Sequence, residues 1–495
     1  MRAIGYRKVL DGRRSESDYH HGRFATPSLT ADYMAGKVLP YLTDGGVCLD
    51  PAAGGGAFLA ALRRAGLPRD RIHALEVDPH AAQGLGALAG HVSVGDFLLG
   101  EAPRRYRAII GNPPYQSHEC AAIRANRAEL ERRYGRGSLG NLYCLFTLAA
   151  LDALEEGGVL CFLLLDSFLT TNSYQPFRRL LLERTSIREV LLAPRSLFRP
   201  QGADVRTAIL TLEKRGHFFG SAGLLISTVD RVACEEEYGR APSEWVPQAE
   251  WQADPCRRFL VAVPAALARP VTHAQRTIGS VFEGGTGIST GNDRRFLRPA
   301  SEVPQEDGWV PFYKNPSRPY HSPPGSYIHQ DWQAGVMESK TYLARNRGCF
   351  FQEGIACSSM GVPFRACHMP AGCLFGVNTC LFHEDRTTLL AGLAYLNSSL
   401  AEYWVRAVLN RTNMVTARYV KALPWPSWST KTLSQLAREA ASARDGLKAG
   451  TDVDLVAVRR RVDDLVFPAF GLGGHTAVAL RGRVESFCAH ILDRL

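Results

Sequence analysis

The stretch Ala108-Ile109-Ile110-Gly111-Asn112-Pro113-Pro114-Tyr115 decides how this chain is read. Its first half is an apolar run that suits a buried strand. Its second half cannot continue one, because two consecutive prolines restrict the backbone and remove two N–H donors. What remains is a rigid loop at a strand end, presenting carbonyl oxygens and the Asn112 side-chain oxygen. Such a loop suits a substrate that donates hydrogen bonds.

Working outward, apolar runs recur at 47–50, 72–78, 91–96, 159–166, 187–194 and 207–214, with helix-like segments such as 57–65 and 141–156 between them. Strands alternating with helices predict a mostly parallel sheet covered on both faces. Near-continuous apolar strands are those buried on both sides. The expected fold is α/β, with a seven-stranded, mostly parallel Rossmann-like sheet over 21–230. Residues 1–20 are polar and basic and read as a flexible arm. From about 230 the texture shifts to Pro, Gly, Ser and Trp. Residues 231–430 are expected to form a mixed α/β domain, with short strands at 349–383, an amphipathic helix over 386–409 and a Pro/Trp break at 424–428. Residues 431–495 read as a helical C-terminal segment, with helices near 431–447, 453–466 and 475–493.

The segment Asp50-Pro51-Ala52-Ala53-Gly54-Gly55-Gly56-Ala57-Phe58 follows the first strand and opens a helix. Glycines there let the backbone approach a ligand closely. The spacing is neither GxGxxG nor GxxxxGK[ST], so a dinucleotide or ATP is disfavoured. In an open parallel sheet, ligands bind beyond the carboxyl ends of the strands. Three acidic residues fall there: Asp50, Glu76 and Asp96. Glu76 is placed to accept ribose hydroxyls, Asp96 an adenine amino group, and Asp50 the methionine end of S-adenosylmethionine or its cationic centre.

The exocyclic amine of adenine fits the Asn112 loop. Its lone pair is delocalised into the ring, so it is a poor nucleophile. The Asn112 side-chain oxygen and the Pro113 carbonyl can accept its two hydrogens and draw the nitrogen towards tetrahedral geometry. Tyr115 supplies a stacking face. A duplex base must first be flipped out, and aromatic side chains normally hold it. Phe198, in Arg195-Ser196-Leu197-Phe198-Arg199-Pro200-Gln201-Gly202, is the candidate second aromatic, with a core role as its alternative.

These motifs, in this order, resemble the gamma class of N6-adenine DNA methyltransferases, of the TaqI type, over residues 22–215. Gly22-Arg23-Phe24-Ala25-Thr26-Pro27 is similar to the N-terminal cofactor motif of that class, and Asn141-Leu142-Tyr143 to the helix after its catalytic loop. The resemblance implies that Phe24, Thr26, Asp50, Ala52, Gly54, Glu76, Val77, Asp96, Phe97 and Pro114 bind the cofactor. It implies that Asn112, Pro113, Tyr115 and Phe198 handle the flipped adenine. Asp50 stands where some members have Glu. Gly287–Asp293, Leu396–Leu400 and Val420–Pro424 resemble segments of a target-recognition domain. Double-stranded DNA is the expected partner, with a separately encoded restriction endonuclease or defence subunits as further ones, and a monomer is the default state.

Composition agrees. The chain has 495 residues, enough for two or three domains. Its net charge of +10 is supplied mostly by Arg, which suits phosphate and guanine recognition. The 12 cysteines include no CxxC pair. The densest run, Cys349, Cys357, Cys367, Cys373 and Cys380 with His368 and His383, matches no familiar metal spacing. Buried thiols in a reducing compartment are the expectation, and no secretory signal or membrane span is read, so the expected location is cytoplasmic.

Other readings start from the same loop. A protein Gln amide poses the same chemical problem, and RNA bases are a further option. C5-cytosine methylation needs a Cys nucleophile, and Pro255-Cys256 lies outside the predicted catalytic sheet. A non-catalytic DNA specificity subunit would not need intact Asn112–Tyr115. No nuclease motif is seen, which weakens a reading as a restriction enzyme. Arg294, Arg295, Arg411 and Asn413 are candidate base readers.

Overall fold

The computed structural model describes residues 24–491, except 101–103, 117–119, 136–139, 216–223, 304–307, 334–341, 362, 413 and 474. The expected arm over 1–20 lies outside the described residues. Two compact units divide the chain, Met1–Ala262 and Val263–Leu495.

The first unit is built on one nine-stranded sheet. Its strands are β1 (Cys48–Asp50), β2 (Ile72–Glu76), β3 (His91–Val94), β4 (Tyr106–Gly111), β5 (Leu154–Leu165), β6 (Thr185–Leu192), β7 (Thr207–Lys214), β8 (Leu225–Val229) and β9 (Ser243–Pro247). They lie in the order β3-β2-β1-β4-β5-β7-β6-β8-β9. Strands β1 to β5 run parallel, and β7 is inserted antiparallel between β5 and β6. All seven expected strands are present. Strands β8 and β9 extend the sheet, so it continues past residue 230, where the domain was expected to end. Strand β9 alternates exposed with half-buried residues, so no apolar run marks it in the sequence.

The order in which the chain adds strands across the sheet reverses at β1, which pairs in parallel with β2 on one side and β4 on the other. This is the switch point at which open α/β sheets bind ligands. Helices α1 (Ser28–Val38) and α2 (Ala57–Arg64) cover one face, packing Met34, Val38, Leu59 and Leu62 on Ala108 and Ile110. Helices α3 (Leu142–Ala153) and α4 (Gln175–Arg184) cover the other, packing Tyr143, Leu145 and Phe177 with Ile109 and Phe162. Alternate residues of β4 thus serve opposite cores. Gly56 opens α2 at φ +81°, and a Cβ there would sit 3.0 Å from Leu88 and 3.1 Å from Leu85. No other residue enters that turn without strain.

The second unit contains a five-stranded and a four-stranded sheet, and the helices α5 (Arg386–Leu396), α6 (Thr430–Lys448), α7 (Leu455–Ala469) and α8 (His475–Ala489). The helix expected over 386–409 is not amphipathic and not continuous. Leu389–Leu396 is buried at every position because α5 is covered on more than one side. Asn397 ends it, since its side chain pairs with both backbone groups of Ala366. Ser398 caps the next turn, and Trp404–Leu409 is π-helical. The C-terminal helices belong to this same unit: Asp463 of α7 accepts a hydrogen bond from Ser399 N at 2.9 Å. Among the described residues no helix is long and apolar enough to cross a membrane.

Candidate active site

The Asn112 loop leaves β4 at the switch point. The Asn112 Nδ2 donates to the carbonyl oxygen of Phe24 at 3.0 Å and to Thr26 Oγ1 at 3.2 Å. A carbonyl only accepts, so it fixes which end of the amide faces it. Asn112 Oδ1 is therefore turned away, and it is buried with no hydrogen-bond partner among the described residues. An unmet buried acceptor costs about 1–3 kcal/mol until a donor reaches it. Thr26 and Phe24, expected to touch a cofactor, are placed here to orient the Asn112 amide. Pro113 is buried, and Pro114 half-buried.

Tyr115 is anchored at its far end, where the hydroxyl donates to Leu163 O at 3.1 Å. Burial holds that hydroxyl well above its ordinary pKa, so it stays a neutral donor. Its ring lies 6.0 Å from Phe24, tilted by 37°, and edge-on to Tyr143 at 6.3 Å. Phe198 does not present an open face. It is 0% exposed, in the core with Leu163 and Leu197, and its ring is 5.2 Å from Phe24. Phe24 thus contacts both aromatics, and Phe198 backs it rather than facing Tyr115 directly.

The glycine turn is fastened by Glu76. Its Oε2 accepts Gly54 N at 2.8 Å and its Oε1 accepts Asp78 N at 3.0 Å. Gly54 adopts φ +49° and Gly55 is exposed. Asp50 is buried beside it, with Oδ1 accepting Ala52 N at 3.2 Å and Oδ2 without a hydrogen-bond partner among the described residues. Burial, and then the charge of Glu76, push the Asp50 carboxyl up to about 7, against the opposing bond from Ala52. A Cβ on Gly111 would stand 3.2 Å from Asp50 Oδ1, so this carboxylate adjoins the Asn112 loop. Val77 is 54% exposed at the end of β2. Asp96 is exposed, and its Oδ1 accepts Leu98 N at 2.8 Å. Phe97 is buried on Phe146, at 5.6 Å. Ala52 is half-buried between Asp50 and the turn.

Two residues not singled out from the sequence help build this end of the sheet. Arg231 pairs with Asp166 at 2.5 Å, with their side chains only 4% and 6% exposed, and also donates to Ala193 O at 2.7 Å. It joins the ends of β5 and β6. Gln201 pairs with the backbone of Ala25. Each partner lies far away in the chain, so no local pattern marks the pairs.

Cys256 is held by its own backbone, whose carbonyl accepts Arg178 Nη2 at 2.7 Å, which fits a structural role. All 12 cysteines are free thiols. Among the described residues no group of three or more His, Cys, Asp or Glu is arranged to hold a metal. In the second unit Arg294 and Arg295 are exposed. Arg411 is 3% exposed, so it does not offer its guanidinium to a base edge here. Asn413 lies outside the described residues.

Residues 90–198, which include the Asn112 loop, match the family described as Eco57I restriction-modification methylase. The chain resembles restriction-modification methyltransferases. It is 26% identical to the Type II methyltransferase M.TthHB8I of Thermus thermophilus, over 59% of this chain and 64% of that one. It is 24% identical to M.HindII of Haemophilus influenzae, over 56% and 55%, and 28% identical to M.BsuBI of Bacillus subtilis, over 46% and 50%. The chain thus spans about half to just under two thirds of these relatives. Among solved structures, a nuclease-deletion mutant of the Type ISP restriction-modification enzyme LlaGI shares the fold. Its TM-score is 0.58 at 13% identity, over 86% of this chain and 54% of that one. The DrdV–DNA complex does so with a TM-score of 0.54 at 16% identity, over 86% and 57%.

Proposed function

We propose that this chain is a DNA methyltransferase that transfers the methyl group of S-adenosylmethionine to the exocyclic amine of a flipped-out adenine. The observation that carries this reading is Asn112 Oδ1, a buried acceptor with no partner among the described residues, in an amide held by Phe24 and Thr26. A site of this kind favours a donor.

The residues present fit the cofactor. Asp50 offers an unpartnered buried oxygen to a cation. The Gly54–Gly56 turn leaves room for close approach. Val77 offers an exposed apolar face and Asp96 an exposed carboxylate to an adenine. Glu76 ends β2 beside the glycine turn, where a carboxylate suits the ribose hydroxyls. When bound, the cofactor supplies an electrophilic methyl group on a sulfonium.

The protein supplies position and dipoles. Asn112 Oδ1 and the Pro113 carbonyl accept the two N–H bonds of the amine. The nitrogen lone pair then leaves conjugation with the ring and points at the methyl carbon, and once the new N–C bond has formed the amine releases one of its two protons to solvent. Tyr115 carries the base on its ring, fixed by the bond to Leu163. Expulsion of water strengthens each of these interactions. The second unit is proposed to read the target sequence in double-stranded DNA. The enzyme would act as a monomer in the cytoplasm, within a restriction-modification or phage-defence system.

Incubation of the purified chain with methyl-labelled S-adenosylmethionine and four acceptors tests this. The acceptors are unmethylated duplex DNA, the same DNA premethylated at adenine, RNA, and protein. Label confined to unmethylated duplex, and recovered as N6-methyladenine after digestion, is the expected result. Label in RNA or in protein Gln would overturn the choice of substrate.

A further inference from the structure

Gln201 ends the short turn Arg199–Gln201 that follows Phe198. The turn is closed on Phe198, whose carbonyl accepts Gln201 N at 3.0 Å and Ala203 N at 3.1 Å. Gly202 supplies the φ of +78° that ends it. From this turn the Gln201 side chain meets the backbone of Ala25 twice. Ala25 N donates to Oε1 at 3.0 Å, and Nε2 donates to Ala25 O at 2.5 Å. The two bonds fix the amide orientation, because each end meets a group of opposite kind.

Ala25 stands between the two residues that orient Asn112. Phe24 contributes its carbonyl and Thr26 its hydroxyl to Asn112 Nδ2. A shift of Ala25 therefore moves both acceptors together. We infer that Gln201 is a positioning residue for Asn112: by clamping Ala25 it holds the Phe24 and Thr26 acceptors that aim Asn112 Oδ1 at the substrate amine. The inference rests on the adenine-methylation reading above. It also couples the loop that carries Phe198 to the group that receives the amine, since one side chain joins them.

Gln201 is suited to a test because it is not a core residue. It lines an open cleft of about 640 Å³ together with Thr26, Leu197, Arg199 and Glu236. Replacing it leaves no buried void. Gln201→Leu keeps the bulk and removes both bonds. Gln201→Glu keeps an acceptor for Ala25 N but turns an oxygen towards Ala25 O.

The experiment measures four quantities in wild type and both variants. They are single-turnover methyl transfer into genomic DNA from a host without adenine methylation, S-adenosylmethionine affinity, thermal melting, and deuterium exchange over residues 24–30. Both variants are expected to transfer about 10- to 100-fold more slowly, the loss typical of a misplaced reacting group. Cofactor affinity should stay within about twofold and melting nearly unchanged, while exchange over 24–30 rises. Adding Gln201→Leu to Asn112→Ala should change the residual rate by less than about twofold, because a residue acting through Asn112 has nothing left to position.

Wild-type transfer in both variants overturns the inference, as does an equal loss with and without Asn112. If Gln201→Leu does not fold, Gln201→Glu decides on the same criteria. If wild type methylates no DNA, the functional reading fails instead. The exchange measurement then judges the clamp alone, and unchanged protection over 24–30 overturns it.

Discussion

Asn112 Nδ2 lies 3.0 Å from the carbonyl oxygen of Phe24, a residue 88 positions earlier in the chain. That contact decides which end of the Asn112 amide is free. It predicts that Asn112→Asp is as damaging as Asn112→Ala, since a carboxylate cannot donate to a carbonyl. Each should lower methyl transfer by about 10²–10³-fold, the scale of losing one preorganised polar contact. Cofactor affinity, measured by calorimetry, should stay within about threefold. Full activity in Asn112→Asp would remove the amide from the account.

Asp50 should make cofactor binding depend on pH. Its carboxyl is raised from an ordinary 3.8 to about 7 in the folded protein. A raised pKa stabilises the fold fully below the unfolded value, and that contribution is lost as pH rises through the folded one. The ligand-free protein should therefore lose melting temperature between pH 4 and 7 relative to Asp50→Asn. A cationic ligand needs the carboxylate, so affinity should tighten up to about tenfold per pH unit below 7 and level off above it. A pH profile identical in Asp50→Asn would place the titrating group elsewhere.

Tyr115→Phe separates the hydroxyl from the ring. The lost bond to Leu163 O should cost about 1 kcal/mol of stability while stacking persists. Tyr115→Ala should abolish the fluorescence rise of a 2-aminopurine placed at the target base, and Tyr115→Phe should retain it. Equal behaviour of the two variants in that assay would count against stacking.

Phe198 should behave as a core residue. It is fully buried, and Phe198→Ala is expected to cost about 3–5 kcal/mol in denaturant unfolding of the first unit. An unchanged unfolding midpoint together with lost transfer would instead restore Phe198 to a direct stacking role.

The Arg231–Asp166 pair should matter through its burial. Arg231→Met leaves the Asp166 carboxylate buried without its ion-pair partner and should destabilise by about 3–5 kcal/mol. The double variant with Asp166→Leu should recover most of that loss. Additive losses in the double variant would show that the two side chains act separately.

The centre of the sheet is legible because β1 and β4 to β7 are largely buried on both faces, which leaves near-continuous apolar runs such as Leu160–Leu165. Strand β9 is not, because an edge strand that alternates exposed with half-buried residues carries no such run. The stretch 386–409 differs from the amphipathic, continuous helix its sequence suggests. Its apolar residues are enclosed on all sides, and Asn397 breaks it through a tertiary pairing with Ala366 that no local pattern encodes. At the candidate site, Asn112, Asp50 and Glu76 could be named from motif and strand-end position. The orienting contacts could not. Phe24 with Asn112, and Gln201 with Ala25, join residues 88 and 176 positions apart. The burial of Phe198 and of Arg411 likewise follows from packing rather than residue type.

The most direct test of the account is to express the chain in a host without adenine methylation and to read its genomic DNA by single-molecule sequencing, with Asn112→Ala alongside. N6-methyladenine is expected at one recurrent sequence in cells carrying the intact chain, and none in cells carrying the variant. Unmodified adenine in both, or equal modification in both, would contradict it.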